Sequence, residues 1–302
     1  MVGEERTARK RPVAASLNAG CYRGDVPPVT PLATGIVLLA GAVAGGLGAT
    51  LGIGGGIFLV PFLTVVMGWP IGAAAAISLT TVIATSSAVS AGRTGSHQIN
   101  YRLGMVLEVA TAAGSLLGGI TAQYLQAHTL ERLFSAVTLT VGAATLSRLN
   151  TRNVVTGDQP DPGALGGRYA EAESGGVVSY RVKRLPLALA ASFVAGNLSS
   201  LLGIGGGVIK VPVLNAWCGV PLRAAASTSA FMIGVTAAAG AIIYFGNGQL
   251  SPPLAAAAIL GVQAGSSIGI RAGATASARS LKLLLATVLF AVSAVMFYRS
   301  LP

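Results

Sequence analysis

The sequence predicts an all-α polytopic membrane protein of two homologous repeats, favoured as inverted, with 8 to 10 membrane segments and two glycine-broken helices. Three observations carry this. The 302 residues are 53% hydrophobic and only 10% charged, with mean hydropathy +0.71, whereas a soluble domain carries about 25% charged residues. The charged side chains sit in tails and short connections, leaving Lys210 and Glu108 well inside apolar stretches. Finally, a motif recurs without a gap: residues 44–61, AGGLGATLGIGGGIFLVP, align at a shift of 151 with residues 195–212, AGNLSSLLGIGGGVIKVP.

Residues 1–31 read as a polar N-terminal tail, with Arg6, Arg9, Lys10, Arg11 and Arg23 balanced by Glu4, Glu5 and Asp25 and no apolar core of signal-peptide length. The first membrane repeat occupies 32–149. Its apolar segments are 32–51, a GIGGG break, 57–67, 72–91, 103–125 and 130–148. Three of these reach the roughly 20 residues that span about 30 Å of hydrocarbon. The 57–67 piece covers only about 16 Å as a helix, so it either folds back as a hairpin or completes one broken crossing. Residues 150–185, rich in Gly, Pro and charge, read as a polar, exposed and cytoplasmic linker. The second repeat fills 186–302, its register pairing Pro70 with Pro221, Ser78 with Ser229 and Gly114 with Gly265.

Counting Lys and Arg weighs the two topologies. The hairpin arrangement makes the repeats inverted and places twelve basic residues inside against seven outside; a single crossing makes them parallel and gives fourteen against five. The raw count leans to parallel. The loop 92–102, however, carries Arg93 and Arg102 while its counterpart 243–253 carries none. That exchange is expected when equivalent loops face opposite sides, and it favours inversion.

Short, Gly/Pro-interrupted segments at matching positions of two halves mark a transporter binding site. Here they are Gly52, Gly54, Gly55 and Gly56 with Pro61, and Gly203, Gly205, Gly206 and Gly207 with Pro212. Three glycines in a row open a helix, each costing about 1 kcal/mol against Ala. The freed N–H groups need a ligand or a wet cavity, and a half-helix N-terminus suits an anion. The competing reading is close glycine packing between helices. Lys210 lies three residues beyond the second GGG, where the first half has Leu59. It is a counter-charge for an anion, a proton exchanger, or an anchoring lysine. Glu108 is the carboxylate inside a span, open to a local ion pair with Arg102 or to a proton-relay role, a role also open to Lys210. Asn197, Ser199 and Ser200 could line the cavity or act as helix glue.

Other classes fit less well. Neither His97 nor His128 lies in a span, no H-E-x-x-H occurs, and no Asp falls within a span, so an intramembrane enzyme lacks its parts. A channel would need continuous polar rings, which the sequence neither provides nor excludes. The net charge of +11 lacks the basic stripe with interleaved aromatics of a nucleic-acid binder. No cofactor, metal or nucleotide signature is present, and the expected partners are a small anionic substrate and the lipid bilayer.

The paired motifs LGATLGIGGGIFLVPFL and LSSLLGIGGGVIKVPVL resemble those of the sulfite exporter TauE/SafE family, over roughly residues 36–300. The resemblance implies a multi-pass permease of the bacterial inner (plasma) membrane. It would move small anions, sulfur-containing oxyanions such as sulfite or organosulfonates, commonly outward, with the glycine breaks lining the path. A channel or a permease for another small solute, a carboxylate or a cation, is the alternative.

Overall fold

The computed structural model describes residues 28–51, 54–92, 98–147, 161–171, 176–275 and 278–300. Gly52, one of the expected site residues, lies outside the described residues. Ten helices and one β-hairpin form among them. The first five helices are α1 (Pro31–Leu51), α2 (Gly56–Pro61, running on as a π-helical turn over Phe62–Val66), α3 (Ile71–Gly92), α4 (Tyr101–Ala122) and α5 (Ala127–Ser147). The strands β1 (Gly167–Glu171) and β2 (Gly176–Tyr180) follow. The chain then continues as α6 (Leu185–Leu202), α7 (Gly207–Ala216), α8 (Leu222–Gly246), α9 (Pro252–Thr275) and α10 (Ala278–Arg299).

Six helices are long and apolar enough to cross a bilayer: α1, α3, α4, α6, α8 and α9. Gly56–Val66 and Gly207–Ala216 are shorter apolar pieces, as their lengths in the sequence require. The protein is a polytopic helical membrane protein. One element departs from an all-helical chain: the linker carries the antiparallel pair β1–β2, in register Gly167 with Tyr180 and Glu171 with Gly176. Its Tyr169 and Tyr180 share a face and are buried with Leu103, Leu107, Leu214, Cys218 and Val220, so part of the linker is packed rather than exposed.

Residue contacts fix the helix directions. The Ser86 hydroxyl of α3 donates to the Ala230 carbonyl of α8 at 2.6 Å and accepts from the Gly234 N–H at 3.1 Å. Val82 meets Ile233 around Gly54, and Val89 clusters with Ala230, so late α3 faces early α8 and the two run antiparallel. The same holds for α5 and α10, where the Arg299 Nε lies 3.2 Å from Glu131, Ser135 bonds Ser293, and Gly142 meets Leu289.

Two other pairs run parallel, backbone to backbone. On α9, Gly261, Gly265 and Gly269 face the carbonyls of Leu38, Ala42 and Gly46 on α1. On α4, Gly114 and Gly118 face the carbonyls of Phe193 and Asn197 on α6. In a membrane no hydrophobic driving force separates helix from lipid, so small residues that allow such approach hold the bundle.

The bundle has two ends. At one, the Lys183 N–H donates to the Cys218 carbonyl at 2.9 Å, placing the start of α6 beside the exit of α7. The broken element of the second half therefore returns to its starting end. Asn100, the N-cap of α4, joins that end by donating to Leu165 O and Tyr180 Oη. At the opposite end Gln123 and Gln249 pair at 3.0 Å, Gln249 abuts Gly72, and Arg132 reaches Ser300 O at 3.3 Å. In the first half Gly55 folds back onto Ala44, the same turn that carries Gly206 back onto Ala195. At the centre α3 is the most enclosed span, 78% buried.

Candidate functional site

The two breaks converge on the α3–α8 crossing. Gly54 has φ +76°, Gly203 +70° and Gly205 +67°, the left-handed region where an L side chain is strained by roughly 1–2 kcal/mol. These glycines let α1 and α6 stop and the chain reverse. Gly54 and Gly205 both rest on Val82 and Ile233, and Gly56 lies against the Gly203 carbonyl. That carbonyl also accepts from the Ser78 hydroxyl at 2.5 Å. Pro61 and Pro212 each sit at the sixth position of a half-helix, where a missing N–H releases the carbonyl four residues earlier.

The described glycines of both motifs are buried. A cavity of about 10 Å³ lies beside the first break, lined by Gly48, Gly54, Thr85, Ser86, Val89, Ala230 and Ile233. That is the room of about one water. The breaks thus meet in packed protein in this conformation, and the expected wet cavity is reduced to this small void. A void of that size does not admit an oxyanion.

The charged centre stands at the second break. Lys210, on the first turn of α7, is 1% exposed, and its stem packs against Gly206. Its Nζ lies 3.3 Å from Thr236 Oγ1 and 3.9 Å from Glu108 Oε2. The Thr236 hydroxyl donates to Glu108 Oε1 at 2.8 Å. Helices α4, α7 and α8 therefore each contribute one group to a buried triad. Glu108 meets Lys210 across the bundle instead of Arg102 along its own helix, because residue 108 faces α8 while Arg102 is exposed at the end of α4.

Further along the same α4–α8 seam, Ser115 Oγ donates to the Thr236 carbonyl at 2.6 Å. One turn beyond Thr236, Ser200 Oγ lies against Gly240 and Gly119. Among the described residues, Glu108 Oε2, Ser199 Oγ, Ser200 Oγ and Ser229 Oγ are buried without a hydrogen-bond partner. Buried polar atoms are rarely left so. Asn197 is half-buried, its backbone carrying the contact to Gly118. Thr236 escaped the sequence reading because a single Thr in an apolar helix is ordinary helix glue; nothing local marks it.

Comparison with known proteins places the chain in a family. A family model described as sulfite exporter TauE/SafE matches residues 37–296. The chain belongs to this family. It is similar to the probable membrane transporter protein YunE of Bacillus subtilis (strain 168), 22% identical over 273 residues, covering 88% of this chain and 98% of that protein. It is also similar to the probable membrane transporter protein MJ0441 of Methanocaldococcus jannaschii, 24% identical over 269 residues, covering 84% of this chain and 91% of that protein. No solved structure matches it. A TauE/SafE chain with several apolar helices is a multi-pass membrane transporter.

Proposed function

We propose that this protein is a secondary transporter of small anions, sulfur-containing oxyanions or organosulfonates such as sulfite, working outward across the inner membrane. The observation that carries this is the buried ammonium of Lys210, 1% exposed, on the first turn of the half-helix that begins at Gly207. A lysine so placed is costly in a membrane and is kept for a ligand or an ion path. Backbone N–H groups of the second break and the unpartnered hydroxyls of Ser199 and Ser200 are donors for oxyanion oxygens. Glu108 and Lys210 are the two groups able to relay a proton.

The two halves are inverted repeats on this reading. Contacts recur at the shift of 151: Gly265 on Ala42 matches Gly114 on Phe193, and Gly269 on Gly46 matches Gly118 on Asn197. Equivalent helices α3 and α8 run antiparallel, as do α5 and α10, which supports inversion over parallel repeats. Alternating access then rocks one half against the other about the crossing of Val82 and Ile233, opening the packed breaks to one side at a time.

The test is flux in liposomes holding purified protein, offered sulfite, sulfate, thiosulfate, methanesulfonate and acetate. Saturable flux that discriminates among the sulfur anions and against acetate is the expected result. A folded protein that moves none of them removes the anion reading and turns attention to a cation or a neutral solute.

A further inference from the structure

The charged part of the seam between α4 and α8 exists on one side of the molecule alone: Thr236 and Ser115 recur as Thr85 and Ser266, but the ion pair does not. At the positions 151 residues away, Glu108 becomes Ile259, Lys210 becomes Leu59, Gly240 becomes Val89, Ser200 becomes Ala49 and Gly119 becomes Ile270. Ala49, Val89 and Ile270 pack together as apolar residues, in the place where Ser200, Gly240 and Gly119 meet. Packing alone would accept the apolar version twice. The charged version is therefore a functional addition, and its charges balance: one ammonium, one carboxylate.

That balance creates a difficulty for a carrier of anions. With Glu108 ionised 3.9 Å from Lys210, the site is neutral and already occupied. An anion arriving beside an intact pair would leave two negative charges on one cation in a largely buried site, an arrangement that like charges resist strongly. No other group relieves it. The helices packed on Glu108 bring Lys210 from α7, nothing titratable from α6, and from α8 Arg223 and Tyr244, which stand about 20 Å and 12 Å along the helix from Thr236. Relief comes through Glu108 Oε2, which lies 3.9 Å from Nζ but accepts no hydrogen bond and can therefore take a proton.

We propose that anion and Glu108 compete for the ammonium of Lys210, so that each monovalent anion travels with one proton carried on the Glu108 carboxyl. This rests on the anion-carrier reading above. In the empty state Nζ holds Oε2. On loading, a proton from the aqueous side bonds to Oε2, the ion pair opens, and an anion oxygen takes its place on Nζ. On release the proton leaves, and the pair re-forms. Both states are electrically neutral within the site, so the carrier changes face in either state without dragging net charge through hydrocarbon. Export then draws on the anion's own outward gradient with the proton following, and a divalent anion carries one uncompensated negative charge.

Methanesulfonate is the probe, because it stays ionised at every working pH and cannot itself carry a proton. Protein is placed in liposomes containing a pH-sensitive dye, and labelled methanesulfonate is added outside. Uptake should acidify the lumen by one proton per anion, with little response to an imposed membrane potential. Glu108→Gln should lose net, proton-linked uptake while still exchanging labelled for unlabelled anion, because its empty form carries an unbalanced ammonium and returns poorly. Glu131→Gln, a buried acid outside the seam, should keep the wild-type ratio. Uptake by the wild-type protein without luminal acidification overturns the proposal, as does a Glu108→Gln protein with the wild-type proton ratio. Failure of the wild-type protein to move any anion of the panel is a different result, which takes away the anion reading itself.

Discussion

Replacing Lys210 by Met keeps most of the unbranched side chain and removes its charge, which isolates what the ammonium does. Two consequences separate. Anion flux should fall at least tenfold, because the donor at the second break is gone. Stability should fall as well, since Glu108 loses its partner in a buried place, a change that costs about 3–5 kcal/mol when one member of a buried pair is removed. The double variant Lys210→Met with Glu108→Gln removes both charges and should recover most of the melting temperature in detergent while flux stays lost. Thermal melts read beside liposome flux decide this. A single variant that transports normally makes Lys210 an anchor, and a double variant as unstable as the single one removes the ion pair from the stability argument. The pair also shows where sequence reasoning stopped. Lys210 was legible because an intramembrane lysine three residues after a GGG run is conspicuous. Its partner was not, since Arg102 is six residues from Glu108 while Lys210 is more than a hundred, and only the packing of α4 beside α7 and α8 selects between them.

Helices α1 and α9 touch through glycine. A Cβ on Gly265 would overlap the Ala42 carbonyl, and a backbone atom cannot turn away as a side chain can. Gly265→Val should therefore force the pair apart, costing about 1–3 kcal/mol or more, and Gly114→Val should do the same between α4 and α6. Size-exclusion profiles and thermal melts of the two variants should move together; if Gly265→Val is silent, the close approach is not what holds these helices. The helices of the first half were legible to within about three residues, because unbroken apolar runs bounded by Gly, Pro and Arg leave few alternatives. The hairpin β1–β2 was not, although Val177 and Val178 between Gly175 and Tyr180 are strand formers, because the surrounding linker is polar and its core is borrowed from Leu103, Leu214 and Val220. That borrowed core has a pH signature. Burial pushes the Tyr180 phenol above its ordinary value of 10.0, with the Asn100 hydrogen bond opposing part of the rise. The folded state therefore holds its proton more tightly than the unfolded chain does. Its contribution is complete below about pH 10 and is lost as pH climbs from there through the raised folded value. Tyr180→Phe should flatten that alkaline loss in a melting-temperature profile, and an unchanged profile would show that the hairpin does not report on Tyr180.

At the scale of the whole molecule the contacts divide the connections between two ends. The loop before α4, the hairpin linker and the turn at Cys218 share one end through Asn100 and Lys183. The connections at Gln123 and Gln249, with Ser300, share the other. The proposed inverted topology, with broken elements returning to their starting end and three crossings after each, would give this division, and on that topology the sequence count assigns twelve Lys and Arg to the linker side. Positive residues are retained on the cytoplasmic side, so on the proposed inverted arrangement the linker end would face inward and the ends at Gln123 and Gln249 outward. Single cysteines test this in a background with Cys21→Ser and Cys218→Ala. Tyr124→Cys and Asn247→Cys, both at exposed positions, should react with an impermeant maleimide added to intact cells. Asp161→Cys, exposed in the linker, should react only after the membrane is opened. Labelling of Tyr124→Cys and Asp161→Cys from the same side would require an even number of crossings between α4 and the linker, where α5 supplies one. The fold would then have to be threaded differently, and the opposed orientation of α3 and α8 would lose its meaning as an inverted pair.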